Sequence, residues 1–189
     1  MARERGFDPQ HLDVAAFAAA GGVLSGETSL QALPRLRELV EPEAGGGSPS
    51  VVAWRAHGAA TLLGPAGRQP SLRLRADASV ALVCQRCLQP VTVELHVDRR
   101  LVFVEGDDAA ASLDAESDDD VLALAASFSL PTLLEDELLL AMPIVARHDA
   151  CPQPLPNSAA VLAPATPLDN PAAHPFAALA ALKRGALPN

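Results

Sequence analysis

The sequence predicts an α+β fold: a small antiparallel, partly barrel-like sheet, with an N-terminal helical region and one packed helix near 131–142. Three observations point there. Leu72, Leu74, Ala76, Ala78, Val80 and Leu82 alternate with Arg73, Arg75, Asp77 and Ser79, the period of two expected of a strand with one dry face. A second run, Val91 to Val104, keeps Val91, Val93, Leu95, Val97, Leu101 and Phe103 on one parity, and its short connection to the first favours a hairpin. After Pro131, the leucine-rich stretch from Thr132 to Ala141 carries a helical stripe that needs a sheet to cover it.

The elements follow in order. Residues 12–40 read as helical. Asp13 caps the alanine-rich Val14–Ala20 segment and Gly21-Gly22 stops it; a second helix follows Thr28-Ser29 toward Val40, with Pro34 near its start. Pro42 and the Gly45–Pro49 stretch then break the chain, so 1–49 is a helical region plus linker. Residues 50–151 form the β-rich core. Its first strand is Val51–Leu63, with Val52, Trp54 and Ala56 on one face, and Gly64–Gly67 turns it into the second. Residues 105–120, with eight acids and few apolar side chains, are expected to be a mobile loop. Val121–Phe128 suggests one more strand. The helix after Pro131 has Thr132 and Glu135 at capping-box spacing, and Pro143 ends it. From 152 to 189 the chain is a Pro/Ala-rich tail carrying a short amphipathic helix at 175–184, suited to docking on a partner.

The net charge of the 189 residues is −9, and it is unevenly spread. Arg68–Arg100 holds six arginines against three acids, whereas Leu101–Ala150 holds twelve acids against Arg147 alone. An acidic chain repels phosphate backbones as a whole, so any RNA contact must use the basic middle. The candidates for RNA or partner contact are Arg73 and Arg75 on the polar face of the second strand, with Arg86, Arg99 and Arg100 near the hairpin. No secretory h-region and no run of ~20 apolar residues is found, which predicts a cytoplasmic protein without a membrane span. Phosphate-loop, nucleophile-elbow and H-E-x-x-H patterns are missing, and no catalytic residue is assigned. Glu135-Asp136-Glu137 could pass for catalytic carboxylates, but neighbours on a helix diverge, and a helix N-terminus explains acids there. With no tyrosine and one tryptophan, a base-stacking platform is excluded, and Trp54 reads as a core residue.

The three cysteines fall in two clusters: Cys84-Gln85-Arg86-Cys87, at the tip of the predicted hairpin, and His148-Asp149-Ala150-Cys151. Zinc takes four thiolate or imidazole ligands, commonly as two close pairs on separate loops, so Cys84, Cys87, His148 and Cys151 form the candidate zinc quartet. Two alternatives stand beside it. A redox C-x-x-C would sit where a strand enters a helix, yet Pro90 and a β-like run follow here. Inert thiols in a turn are the other.

Three segments resemble the YceD-like family of bacterial and plastid proteins. Cys84-Gln85-Arg86-Cys87-Leu88-Gln89-Pro90-Val91 is similar to its C-x-R-C-L-x-P-V signature. Leu134 to Val145 resembles its E-D-E block, with His148 and a cysteine after it. Pro175 to Lys183 resembles its closing motif, with His174 in place of an asparagine. The resemblance implies a non-enzymatic ribosome biogenesis factor supporting synthesis, processing or stability of 23S rRNA, with a large-subunit precursor, a ribosomal protein or the rRNA itself as partner. The alternative is a small zinc- or thiol-dependent regulatory protein of the cytoplasm.

Overall fold

The period-two run becomes the longest strand of the sheet. The computed structural model describes residues 6–41 and 51–152. In it, β3 (Arg68–Val83) pairs antiparallel with β4 (Pro90–Val104). Before them come α1 (Val14–Ala19), β1 (Val23–Ser29), α2 (Pro34–Leu39) and β2 (Val51–Leu62). After them come α3 (Asp107–Asp114), β5 (Asp120–Ala123) and α4 (Leu130–Ala141). The five strands lie side by side in chain order. β1, β2, β3 and β4 pair antiparallel, whereas β5 runs parallel to β4 because the chain crosses over through α3 between them. The sheet is therefore mixed and open, with β1 and β5 as edges, rather than partly barrel-like. The α+β class holds.

All these elements belong to one compact unit, Met1–Asp149; a second unit starts at Ala150 and is described through Pro152. The linker predicted at 42–49 and the helix predicted at 175–184 lie outside the described residues.

One face of the sheet carries the main core. Val52, Ala56, Leu72, Leu74, Val80, Leu95 and Leu101 are all nearly inaccessible, and α1 and α4 pack over them with Phe17, Leu134 and Leu138. A smaller cluster forms from Leu63, Val102, Val104, Ala110 and Val121, with α3 as its lid. Val102 and Val104 alternate with the core residues Leu101 and Phe103, so this cluster lies on the opposite face.

Several expectations are borne out locally. Asp13 caps α1, its carboxylate accepting from the Ala16 amide at 2.9 Å, and Pro34 opens α2. Others are corrected. Val23–Ser29, inside the region read as helical, is a strand on the edge of β2. It pairs Gly26 with Trp54, where a Cβ would meet the indole at 3.2 Å, and Trp54 is half-buried over it, donating to Thr28 Oγ1 at 2.9 Å. The acidic stretch is not a bare loop. Gly106, at φ 86°, turns the chain into α3, whose first turn takes Asp107 and Asp108 where the helix dipole favours anions. Ala110 anchors this helix on the sheet, and the Asp114 carboxylate accepts from the Val121 amide at 2.8 Å, tying α3 to β5. Finally, α4 is capped by Ser129, not by Thr132 with Glu135; the Ser129 hydroxyl accepts from the Thr132 amide at 3.3 Å.

Candidate metal centre

The hairpin between β3 and β4 ends in a tight loop, Cys84 to Gln89. Its closure is local: the Cys84 amide donates to the Gln89 carbonyl and the Leu88 amide to the Cys84 carbonyl, each at 2.9 Å. Leu88 takes φ 60°, the left-handed conformation that lets the chain fold back within so few residues. Turns of this kind leave amides pointing inward. The Cys84 sulfur is fully buried among them, and this decides its ionisation. Burial pushes the thiol up, but the amides of Cys87, Arg86 and His148 outweigh it and hold the thiol down to about 5.

The second cluster arrives after α4. Met142 leaves the helix in an extended conformation and the chain runs back to the loop. There the Gln85 amide donates to the Ala146 carbonyl at 2.8 Å, and Arg86 Nη2 donates to the carbonyls of His148 at 2.8 Å and Asp149 at 3.3 Å. These bonds set His148 beside the thiols. Its Nε2 lies 3.0 Å from the Pro90 carbonyl, which can only accept, so Nε2 carries the hydrogen. Nδ1 is left facing Cys87 Sγ at 3.4 Å with its lone pair available. A carbonyl that fixes the tautomer and ring orientation is the usual outer support of a ligating histidine.

One ligand atom from each of Cys84, Cys87, His148 and Cys151 lies within 4.8 Å of the others. A tetrahedron with ~2.3 Å zinc–sulfur bonds has sulfur–sulfur edges of about 3.8 Å, so side-chain shifts of about 1 Å close this group on an ion. The three cysteines form no disulfide. The donor set and the fixed histidine tautomer fit a structural metal site.

Each candidate contact arginine has a partner within the chain, and for Arg75 that partner is shared. Arg86 holds the His148–Asp149 carbonyls. Arg73 makes a two-pronged pair with Asp98, at 2.7 and 2.8 Å, and Arg75 shares that carboxylate at 3.2 Å. Arg99 points to the α4 side and meets Glu137 at 3.1 Å, whereas Arg100, on the opposite face, is clamped by Asp119 at 2.6 Å. Arg99 and Arg100 therefore do not form one patch; neighbours on a strand face opposite ways. Sequence reasoning did not single out Arg55 and His57, although they share the parity of the polar face of β2, opposite Val52 and Ala56.

The E-D-E segment also acquires a physical account. It lies past the first turn of α4, so the N-terminal dipole does not explain it. Instead, buried Glu135 caps α2, accepting from the amides of Arg35 at 2.7 Å and Leu36 at 3.2 Å and from Arg35 Nε at 3.0 Å. Asp136 pairs with Arg35 and Glu137 with Arg99. The three carboxylates are thus structural.

The family model of large ribosomal RNA subunit accumulation protein YceD matches residues 72–183. The chain belongs to the YceD family. No solved structure matches it. The match takes in both halves of the candidate metal-ligand group and the carboxylates that join α4 to α2 and β4. The family is named for accumulation of large-subunit ribosomal RNA, not for a reaction. Among the described residues, no helix is long and apolar enough to cross a membrane.

Proposed function

We propose that this chain is a non-enzymatic, cytoplasmic ribosome biogenesis factor that supports the synthesis, processing or stability of 23S rRNA by binding a large-subunit precursor. The YceD family match over residues 72–183 carries this reading. The site chemistry agrees with it: four protein ligands would leave a zinc ion no open position for substrate, the mark of a structural rather than catalytic centre. Cys84, Cys87, His148 and Cys151 would hold that ion, whose chemistry is to bind the hairpin tip to the segment after α4. In the same reading, Arg86, Glu135 and Glu137 act as braces and the binding work falls to surfaces.

The test is affinity capture of the tagged full-length protein, with and without nuclease. Large-subunit precursors should be enriched, and cells lacking the protein should show a reduced ratio of 23S to 16S rRNA. Capture without large-subunit components, together with an unchanged ratio, sinks the proposal. A second reading, a thiol-dependent regulator, is favoured by one observation, the C-x-x-C pair Cys84 and Cys87 standing together on one tight loop. Dithiol reductase activity that is lost in Cys84→Ser would support it instead.

A further inference from the structure

The polar face of the sheet sorts its charges into rows. One row across β2, β3 and β4 reads His57, Arg73, Arg100, and the next reads Arg55, Arg75, Asp98. Acids gather at the other end of the face, in Glu27, Asp77 and Glu94. Arg55 stands directly opposite Arg75, and His57 directly opposite Arg73. Arg55 and Arg75 are like charges opposite one another on neighbouring strands, which destabilises a sheet, so this pair costs the fold something. Asp98 relieves Arg73 first and Arg75 second, and Asp119 neutralises Arg100. Arg55 has no ion-pair partner among the described residues. Arg55, His57, Arg73 and Arg75 line a shallow cleft of about 400 Å³ without a single acid in its wall. All four side chains are exposed.

Among the described residues, a chain of net charge −9 thus keeps an acid-free basic cleft, with three guanidiniums answered by one carboxylate. We infer that this cleft binds the phosphodiester backbone of RNA, with Arg55 and Arg75 as the phosphate contacts and Arg73 held in place by Asp98. Guanidinium forks match phosphate oxygens in pairs, and a phosphate between Arg55 and Arg75 would turn their repulsion into shared attraction. The shallow cleft is lined by three guanidiniums and one imidazole, with no Phe, Tyr or Trp on which to stack a base, so contact there is with the backbone and carries no base preference. An acidic polypeptide is the competing occupant. It is disfavoured because Asp118, Asp119 and Asp120 already border Arg73 and Arg100 in the adjoining cleft, which favours spaced phosphates over a carboxylate-dense chain.

This inference rests on the ribosomal reading, and the test separates the two. Full-length protein is titrated with a fluorescein-labelled single-stranded 20-nucleotide RNA across a salt series, alongside Arg55→Gln/Arg75→Gln and the control Arg37→Gln on α2. The double variant should lose about tenfold in affinity at low salt. Its salt slope should fall by about 1.4, roughly 0.7 for each phosphate contact on a single strand. Arg37→Gln should bind as wild type. Because a repulsive pair is removed, the double variant should unfold at the same or a higher temperature, which distinguishes lost binding from lost fold. Unchanged RNA affinity and slope in the double variant overturn the inference, as does tighter binding of a labelled polyglutamate peptide than of RNA. If wild type still captures large-subunit precursors in that event, the ribosomal reading survives alone; if it does not, both fall.

Discussion

Glu135 shows how much one side chain can hold. It is only 5 % exposed, projects from the middle of α4 and accepts three hydrogen bonds at the start of α2. Without it, two amides at the α2 N-terminus would sit against apolar surface unpaired, next to fully buried Leu36. Losing a cap costs about 0.5–2 kcal/mol, and leaving a buried donor unsatisfied about 1–3 kcal/mol. Glu135→Ala should therefore destabilise the protein by about 2–3 kcal/mol in urea unfolding. Asp136→Ala, which breaks a half-exposed pair to the same arginine, should change the midpoint little. Equal losses for the two would mean that the charge pair matters rather than the cap. None of this was readable from the sequence. Three consecutive acids near a helix start invite a dipole explanation, because the partner amides lie a hundred positions away in the chain.

At the scale of elements, α1 meets the sheet at Gly58. The Gly58 amide donates to the Gly22 carbonyl at 2.9 Å, just after the turn that ends α1. A Cβ on Gly58 would stand 2.6 Å from the Phe17 ring, 2.8 Å from the Phe17 carbonyl and 2.9 Å from the Ala18 amide. A ring can rotate away, but helix backbone cannot. Gly58→Ala should cost more than the ~1–3 kcal/mol of ordinary overpacking, since α1 must lift from β2. Thermal unfolding measures it, and a variant within 1 °C of wild type would show that α1 is free to shift. The strands β2 to β4 were legible because one wet face forces alternation, and α4 because its leucines recur at helical spacing. β1 escaped notice because Val-Leu-Ser-Gly-Glu-Thr-Ser is an edge strand whose positions alternate only between exposed and half-buried, so no run of apolar residues marks its inner face. Its strand character comes from the neighbouring β2, a tertiary effect that local propensity does not encode. The same holds for α3, whose acids suggest disorder while Ala110 and Leu113 supply just enough apolar contact to dock it. The convergence of Cys84, Cys87, His148 and Cys151 was legible from spacing alone. The basic cleft was only half so, since Arg55 and His57 gain meaning when register sets them beside Arg75 and Arg73.

For the whole molecule, the decisive question is how the hairpin tip and the segment after α4 are held together over the intervening β4, α3, β5 and α4. Hydrogen bonds from the Gln85 amide to the carbonyl of buried Ala146, and from Arg86 to the carbonyls of His148 and Asp149, do part of this. A bound ion would join the two ends through Cys84, Cys87, His148 and Cys151, and by linkage it stabilises whichever state holds all four ligands in place. At a free metal concentration 100 times its dissociation constant, the gain is ~2.7 kcal/mol. For a chain of this size each kcal/mol moves the midpoint by about 2–4 °C. Zinc-loaded full-length protein should therefore melt about 5–11 °C above chelator-treated protein under reducing conditions. Cys151→Ser, which leaves three ligands and changes a single atom of a half-buried side chain, should keep the metal-free melting temperature while losing most of that increment. Metal analysis of protein purified without chelator should then return about one zinc per chain for wild type. If chelation leaves the melting temperature unmoved and the analysis finds no metal, the four side chains are close for packing reasons alone, and the hairpin tip is held by its hydrogen bonds.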